Sequence, residues 1–129
     1  MGTILENQLY VKNNKYTKKT KERFLQLKNV ITLIENEYQN PLTLEDLSKA
    51  SGMSPKYFCR FFHEMINKTP IEYLNYYRIE ISCEKLIATE LSITEIALNC
   101  GFNDVSYFIK TFKKHKGLTP KQYLKSLKA

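Results

Sequence analysis

The sequence has no apolar run long enough to span a bilayer, and nothing at its start has the pattern of a signal peptide. The opening Met1-Gly2-Thr3-Ile4-Leu5-Glu6 also lacks the Ser or Thr that a myristoylation signal places sixth. No membrane partner is therefore expected. Cysteine is scarce: Cys59, Cys83 and Cys100 are odd in number, and their spacings match no zinc pattern. Free buried thiols in a reduced, cytoplasmic setting follow. Histidine is scarcer still, with only His63 and His115. There is no glycine-rich phosphate loop and no Ser-His-Asp arrangement. An enzyme is not expected, and neither is a catalytic residue, a cofactor or a metal. Cys59 and His63 lie one helical turn apart, but two ligands without a third or fourth define no metal site. No segment alternates strictly between apolar and polar residues, so strands are not expected and the fold class is all-α.

What is present is a core and an uneven charge. Apolar residues make up 43% of the 129, ample for one ordinary domain or two very small ones. The net charge is +7. Residues 1–28 contribute +5, residues 29–104 contribute −5, and residues 105–129 contribute +7 with no acid among them. Basic ends on an acidic middle fit a polyanion partner, although a solvated lysine surface would give the same count.

Residues 1–20 are rich in Lys, Asn, Gln, Tyr and Thr without a sustained apolar period, and read as a tail or linker. From Lys21, the residues Phe24, Leu27, Ile31, Ile34 and Tyr38 form a helical stripe that Asn40-Pro41 ends. Thr43 caps a second helix that stops at Gly52. Ser54-Pro55 and Thr69-Pro70 open a third and a long fourth helix, the latter running to Thr89. A fifth begins near Ser92 and stops at Gly101. Asp104 caps a sixth that ends at Gly117, and Thr119-Pro120 opens the seventh.

The chain repeats itself. At an offset of 49, Leu42, Leu44, Leu47 and Gly52 match Leu91, Ile93, Ile96 and Gly101. At an offset of 50, Tyr57, Phe58, Arg60, Phe62, Thr69, Pro70, Tyr73 and Leu74 match Tyr107, Phe108, Lys110, Phe112, Thr119, Pro120, Tyr123 and Leu124. Each copy is a short helix, a glycine turn and a longer helix, the helix-turn-helix pattern. In that unit the second helix enters the major groove, where every base pair shows a distinct set of donors and acceptors. The motif also serves as plain scaffolding; two copies joined by a helix are the stronger sign. The expected organisation is a tail over 1–20, a first unit over 21–69, a linker helix over 70–89 and a second unit over 90–129.

The run Ile93-Thr94-Glu95-Ile96-Ala97, Gly101-Phe102, Ser106-Tyr107-Phe108, Phe112-Lys113 and Thr119-Pro120-Lys121-Gln122-Tyr123 resembles the AraC/XylS family of bacterial regulators, as do Arg78-Ile79 and Leu86-Ile87 in the linker helix. The resemblance covers about residues 22–128. Two departures stand out: Leu124, followed by Lys125, where the family usually has Arg at a possible phosphate contact, and Ser82 where it usually has Ala. The resemblance implies two helix-turn-helix units reading successive major-groove segments of double-stranded DNA. It further implies transcription regulation, usually activation, with RNA polymerase as a partner on the bacterial nucleoid. An upstream sensor or receiver domain is common in the family; the chain is expected to be a small stand-alone member or a C-terminal fragment. No dimerisation heptad is visible, so the domain is expected to be monomeric.

Periodicity turns Phe58, Phe61, Phe62 and Met65 inward and Lys56, Cys59, Arg60 and His63 outward in the third helix. The family's base-reading positions fall on Lys56, Cys59 and Arg60. Arg60 can bond guanine O6 and N7 together; a salt bridge to Glu64 or a phosphate contact are its alternatives. In the sixth helix Phe108 and Phe112 face inward, while Val105, Ser106, Ile109, Lys110 and Lys113 face out. Val105 and Ile109 suit a thymine methyl, or else tilt inward over the turn. Base readers are thus expected at Lys56, Cys59, Arg60, Val105, Ser106, Ile109 and Lys110. Phosphate contacts are expected at Ser54, Asn103, Thr111, Lys113, Lys114 and Lys121. Ser54 and Asp104 are above all caps. Binding to structured RNA, or to protein alone, are the rival readings.

Overall fold

The computed structural model describes residues 17–128. The expectation of a tail therefore lies, for residues 1–16, outside the described residues, as does the comparison with a lipidation signal. The described residues form seven helices and no strand: α1 Lys18–Glu37, α2 Leu44–Ser51, α3 Pro55–Ile66, α4 Pro70–Ala88, α5 Ile93–Asn99, α6 Val105–Lys116 and α7 Pro120–Leu127. None is long and apolar enough to cross a membrane.

The caps fall where local chemistry demands them. The side chains of Thr43, Ser54, Thr69, Ser92, Asp104 and Thr119 each accept a backbone N–H of the first turn that would otherwise have no partner. Helix α1 starts at Lys18 rather than Lys21, because Thr17 accepts the Thr20 N–H and so caps it. Helix α2 closes on Gly52 with φ +77°, and α6 on Gly117 with φ +79°.

Two cores result. Leu27, Val30 and Ile34 of α1, Leu47 of α2, Phe58, Phe61 and Phe62 of α3, and Leu74 of α4 fill the first. Ile79, Cys83 and Leu86 of α4, Ile96, Ala97 and Cys100, Phe102, and Phe108 and Phe112 of α6 fill the second. Helix α4 lends its first half to one core and its second half to the other, so its buried positions run around the helix rather than along a single stripe.

The repeat persists in three dimensions. Ring centres of Phe58 and Phe62 lie 5.7 Å apart, and Phe62 meets Tyr73 at 5.8 Å. Their counterparts Phe108 and Phe112 lie 5.9 Å apart, and Phe112 meets Tyr123 at 5.5 Å. Such offset and edge-on pairs add stability beyond the area they bury.

Several expectations need correction. Val30 is fully buried in α1, whereas Phe24 and Ile31 are only half-buried. Met65 is 40% exposed, because the third core position of that helix is Phe61. Cys59 is half-buried rather than buried like Cys83 and Cys100. Burial pushes the thiols of both core cysteines up, Cys100 to about 11, so neither is a reactive thiolate. Ser82, where an alanine was the usual residue, satisfies its buried hydroxyl by donating to the Ile79 carbonyl at 2.6 Å. Leu124 packs against the second core.

Candidate nucleic-acid interface

Helices α3 and α6 each present one face away from their core. On α3, Lys56, Arg60 and His63 are exposed and Cys59 is half-buried; on α6, Ser106, Lys110 and Lys113 are exposed and Ile109 is half-buried. These are repeat-equivalent positions, fifty residues apart, and the two stripes match in exposure position by position. The inward faces match too: Phe58 and Phe108, and Phe62 and Phe112, are all fully buried. Each outward face is therefore held by an anchored inward one.

The surroundings of Arg60 bear on one of its alternatives, the salt bridge to Glu64. Glu64, the acid four residues on, instead meets Arg23 of α1 at 3.3 Å. The Arg23 guanidinium also lies 5.3 Å from the centre of the Phe61 ring. Arg60 is left with no hydrogen bond, ion pair or ring contact among the described residues. An unpaired, exposed guanidinium on the outward face is free to meet an anion or a guanine edge.

Val105 and Ile109 are half-buried and pack against the second core, with part of each side chain left exposed. Asn103, Lys113, Lys114 and Lys121 are exposed. Ser54 is exposed and accepts the Tyr57 N–H at 3.4 Å, which leaves its own hydroxyl hydrogen available. Thr111 is a correction. It is 6% exposed and turned into the interior, because it occupies the position of Phe61 in the first copy. Its side chain has little exposure there, in a cleft that Lys110 and Lys114 also line. The repeat itself held this signal, since an offset of 50 pairs Thr111 with an inward-facing phenylalanine.

Positive charge gathers on the last turn of α6, with Lys113, Lys114 and Lys116, at the negative end of the helix dipole. Lys116 is engaged by Glu80 of α4, and that bond raises its pKa. Lys110, Lys114 and His115 line a small cleft against Glu72 and Asn75 of α4. Partial burial and the neighbouring lysines push His115 down, towards its neutral form. Asp104 accepts the Ser106 N–H at 2.8 Å, which makes it a cap. Among the described residues no group of three or more His, Cys, Asp or Glu side chains could hold a metal.

Further contacts were not foreseen from the sequence. Asn75 of α4 donates to the Tyr107 hydroxyl at 3.1 Å, Gln39 donates to the Asn99 carbonyl at 2.8 Å, and Arg78 donates to the carbonyls of Tyr38 and Asn40. All join distant segments, which no local pattern reports.

Two copies of one fold, each presenting the outward face of its second helix, define a double helix-turn-helix DNA-binding domain. A family model described as a helix-turn-helix domain matches residues 47–126. The chain belongs to the AraC-type helix-turn-helix family of transcription regulators. The HTH-type transcriptional regulator YdeC of Bacillus subtilis is 39% identical over 99 residues, 77% of this chain and 34% of that protein. The C-terminal domain of the response regulator yesN of Fusobacterium nucleatum is 38% identical with a TM-score of 0.69, over 74% of this chain and 93% of that one. The C-terminal domain of the response regulator AraT of Geobacillus stearothermophilus is 31% identical with a TM-score of 0.74, over 78% and 84%. The chain spans 34%, 41% and 57% of the length of three curated relatives it matches.

Proposed function

We propose that this chain binds double-stranded DNA by sequence, laying α3 and α6 into successive stretches of major groove, and so regulates transcription, in the direction of activation. The observation that carries this reading is the pair of matched outward stripes, Lys56, Cys59, Arg60 and His63 on α3 and Ser106, Ile109, Lys110 and Lys113 on α6. Residues 21–69 and 90–129 act as two reading units, and residues 70–89 act as their common strut. Arg60 and Lys110 read guanine, each good bidentate contact being worth about 1–3 kcal/mol of discrimination. Lys56, Cys59, Val105, Ser106 and Ile109 complete the base contacts, with Ile109 and Val105 against thymine methyls. Ser54, Asn103, Lys113, Lys114 and Lys121 hold phosphates and fix the register.

The chain works on the nucleoid in the cytoplasm, with RNA polymerase as its protein partner. Two solved relatives are C-terminal domains of response regulators. That supports an upstream sensor or receiver domain as the source of the signal.

Selection from random duplexes, at physiological salt with excess nonspecific competitor, tests the reading, since salt and competitor separate base contacts from phosphate attraction. Enrichment of a defined motif is the expected result. Binding that vanishes as salt rises, with no motif enriched, would overturn it, and tighter binding to structured RNA would replace DNA with RNA as the target.

A further inference from the structure

We infer that Arg78, with Gln39 and Gly101, forms a joint that locks one helix-turn-helix unit against the other and thereby sets the single separation of base blocks that the chain accepts. The inference rests on the proposal that both units read bases. Arg78 sits on α4 between Leu74, which belongs to the first core, and Ile79, which belongs to the second. It is 8% exposed. Its Nε donates to the Tyr38 carbonyl at 2.8 Å and its Nη2 to the Asn40 carbonyl at 2.9 Å. The Tyr38 carbonyl caps the C-terminal end of α1, whose last turn carries no basic residue of its own, while the Asn40 carbonyl, in the loop beyond, also accepts the Leu42 N–H at 2.8 Å. Carbonyls at a helix end lack intrahelical partners, and a cation is favourable there. The same guanidinium lies 5.8 Å from the centre of the Phe102 ring, in the turn of the second unit. One rigid side chain thus holds the end of a first-unit helix and the turn of the second unit together.

The two copies of the repeat differ at this point. Gly52 and Gly101 are equivalent and both have positive φ, +77° and +98°. A Cβ on Gly52 would meet nothing within 4 Å. A Cβ on Gly101 would come within 2.8 Å of the Arg78 Nε and would collide with the Tyr38 carbonyl. Gly52 therefore serves only its own turn, while Gly101 also lets α1 and Arg78 approach the second unit. Gln39 adds a tie on the same side through the Asn99 carbonyl at 2.8 Å. Two reading heads held rigidly gain affinity together only where the DNA places both blocks in register, and lose that gain elsewhere.

The test uses the full chain, with Q39A, R78K and the double variant. Arg78→Lys keeps the charge and loses the fork; Gln39 is exposed, so Gln39→Ala leaves both cores intact. Affinity is measured on duplexes whose two selected blocks are set ~8 to ~13 base pairs apart, and on each block alone. The native chain should peak at one spacing and fall about tenfold or more two base pairs away, while the double variant should lose most of that peak and bind isolated blocks as before. A variant profile identical to the native one, or an equal loss at every spacing and on single blocks, would overturn the joint. Rotational diffusion of the two units, measured by NMR relaxation without DNA, gives an independent readout. One common correlation time in the native chain, split in the double variant, supports the joint; unchanged common tumbling overturns it. Were the native chain to read one block only, the two-unit reading would fail while the diffusion result would still decide the joint.

Discussion

Arg23 of α1 reaches Glu64 of α3 at 3.3 Å, and Glu64 is the one acid on the helix that carries Arg60. The pair engages the carboxylate that could otherwise neutralise Arg60, the guanine reader proposed above. Removing Arg23 frees Glu64 to turn towards Arg60, one helical turn back. Exposed pairs of this kind are worth up to about 1 kcal/mol, so Arg23→Ala should weaken binding to a selected site about two- to fivefold. Adding Glu64→Gln should restore it. A titration of the three proteins on one duplex checks this; no recovery in the double variant would separate Arg23 from Arg60.

The two units should contribute unequally to phosphate attraction. Lys113 and Lys114 stand with Lys110 on α6, whereas α3 has only Lys56 and Arg60. Each lost phosphate contact reduces the salt slope by about one. Neutralising Lys110, Lys113 and Lys114 should flatten the dependence of log affinity on log salt more than neutralising Lys56 and Arg60. Affinities over a salt series give both slopes, and the reverse order would refute the assignment.

Alanine at the two equivalent glycines should separate a local cost from a long-range one. Gly52→Ala has space but must adopt a left-handed backbone, a cost of about 1–2 kcal/mol. Gly101→Ala bears that cost and also displaces Arg78 or α1, so its loss should exceed about 3 kcal/mol. Denaturant midpoints of the two variants make the comparison. Equal losses would mean that nothing presses on Gly101.

The capping boxes give stability a defined acid limb. Asp46 accepts the Thr43 N–H at 2.9 Å and Glu72 the Thr69 N–H at 3.0 Å, bonds that hold both carboxyls below their ordinary values. A depressed folded value means a contribution that is complete above the unfolded pKa, about 4, and lost as pH falls through the folded one. The stability gap between the native chain and D46N/E72Q should therefore be constant near neutrality and close below about pH 4. A gap that does not change with pH would show that the carboxylate charge plays no part.

The helices were legible in the sequence because their signals are local. Thr43, Ser54, Thr69, Asp104 and Thr119 cap where a Ser, Thr or Asp precedes an apolar period, and prolines mark four of the boundaries. The outward stripes on α3 and α6 followed from the same period. Thr111 is polar yet 6% exposed, and only its repeat partner Phe61, not its own side chain, marks the position as inward. Met65 erred the other way, as an apolar residue on a helix whose inward arc Phe58, Phe61 and Phe62 already fill. Arg23–Glu64, Gln39–Asn99 and Arg78–Tyr38 span 41, 60 and 40 residues, and pairs at such distances leave no mark on spacing or composition.

The central claim is that both units read bases, and paired selections test it most directly. The native chain, Arg60→Ala and Lys110→Ala would each be used to select from one random duplex pool at physiological salt. Two enriched blocks about 10 base pairs apart are predicted for the native chain, with Arg60→Ala relaxing one block only and Lys110→Ala relaxing only the other. A single block, or two substitutions that relax the same block, would contradict tandem reading.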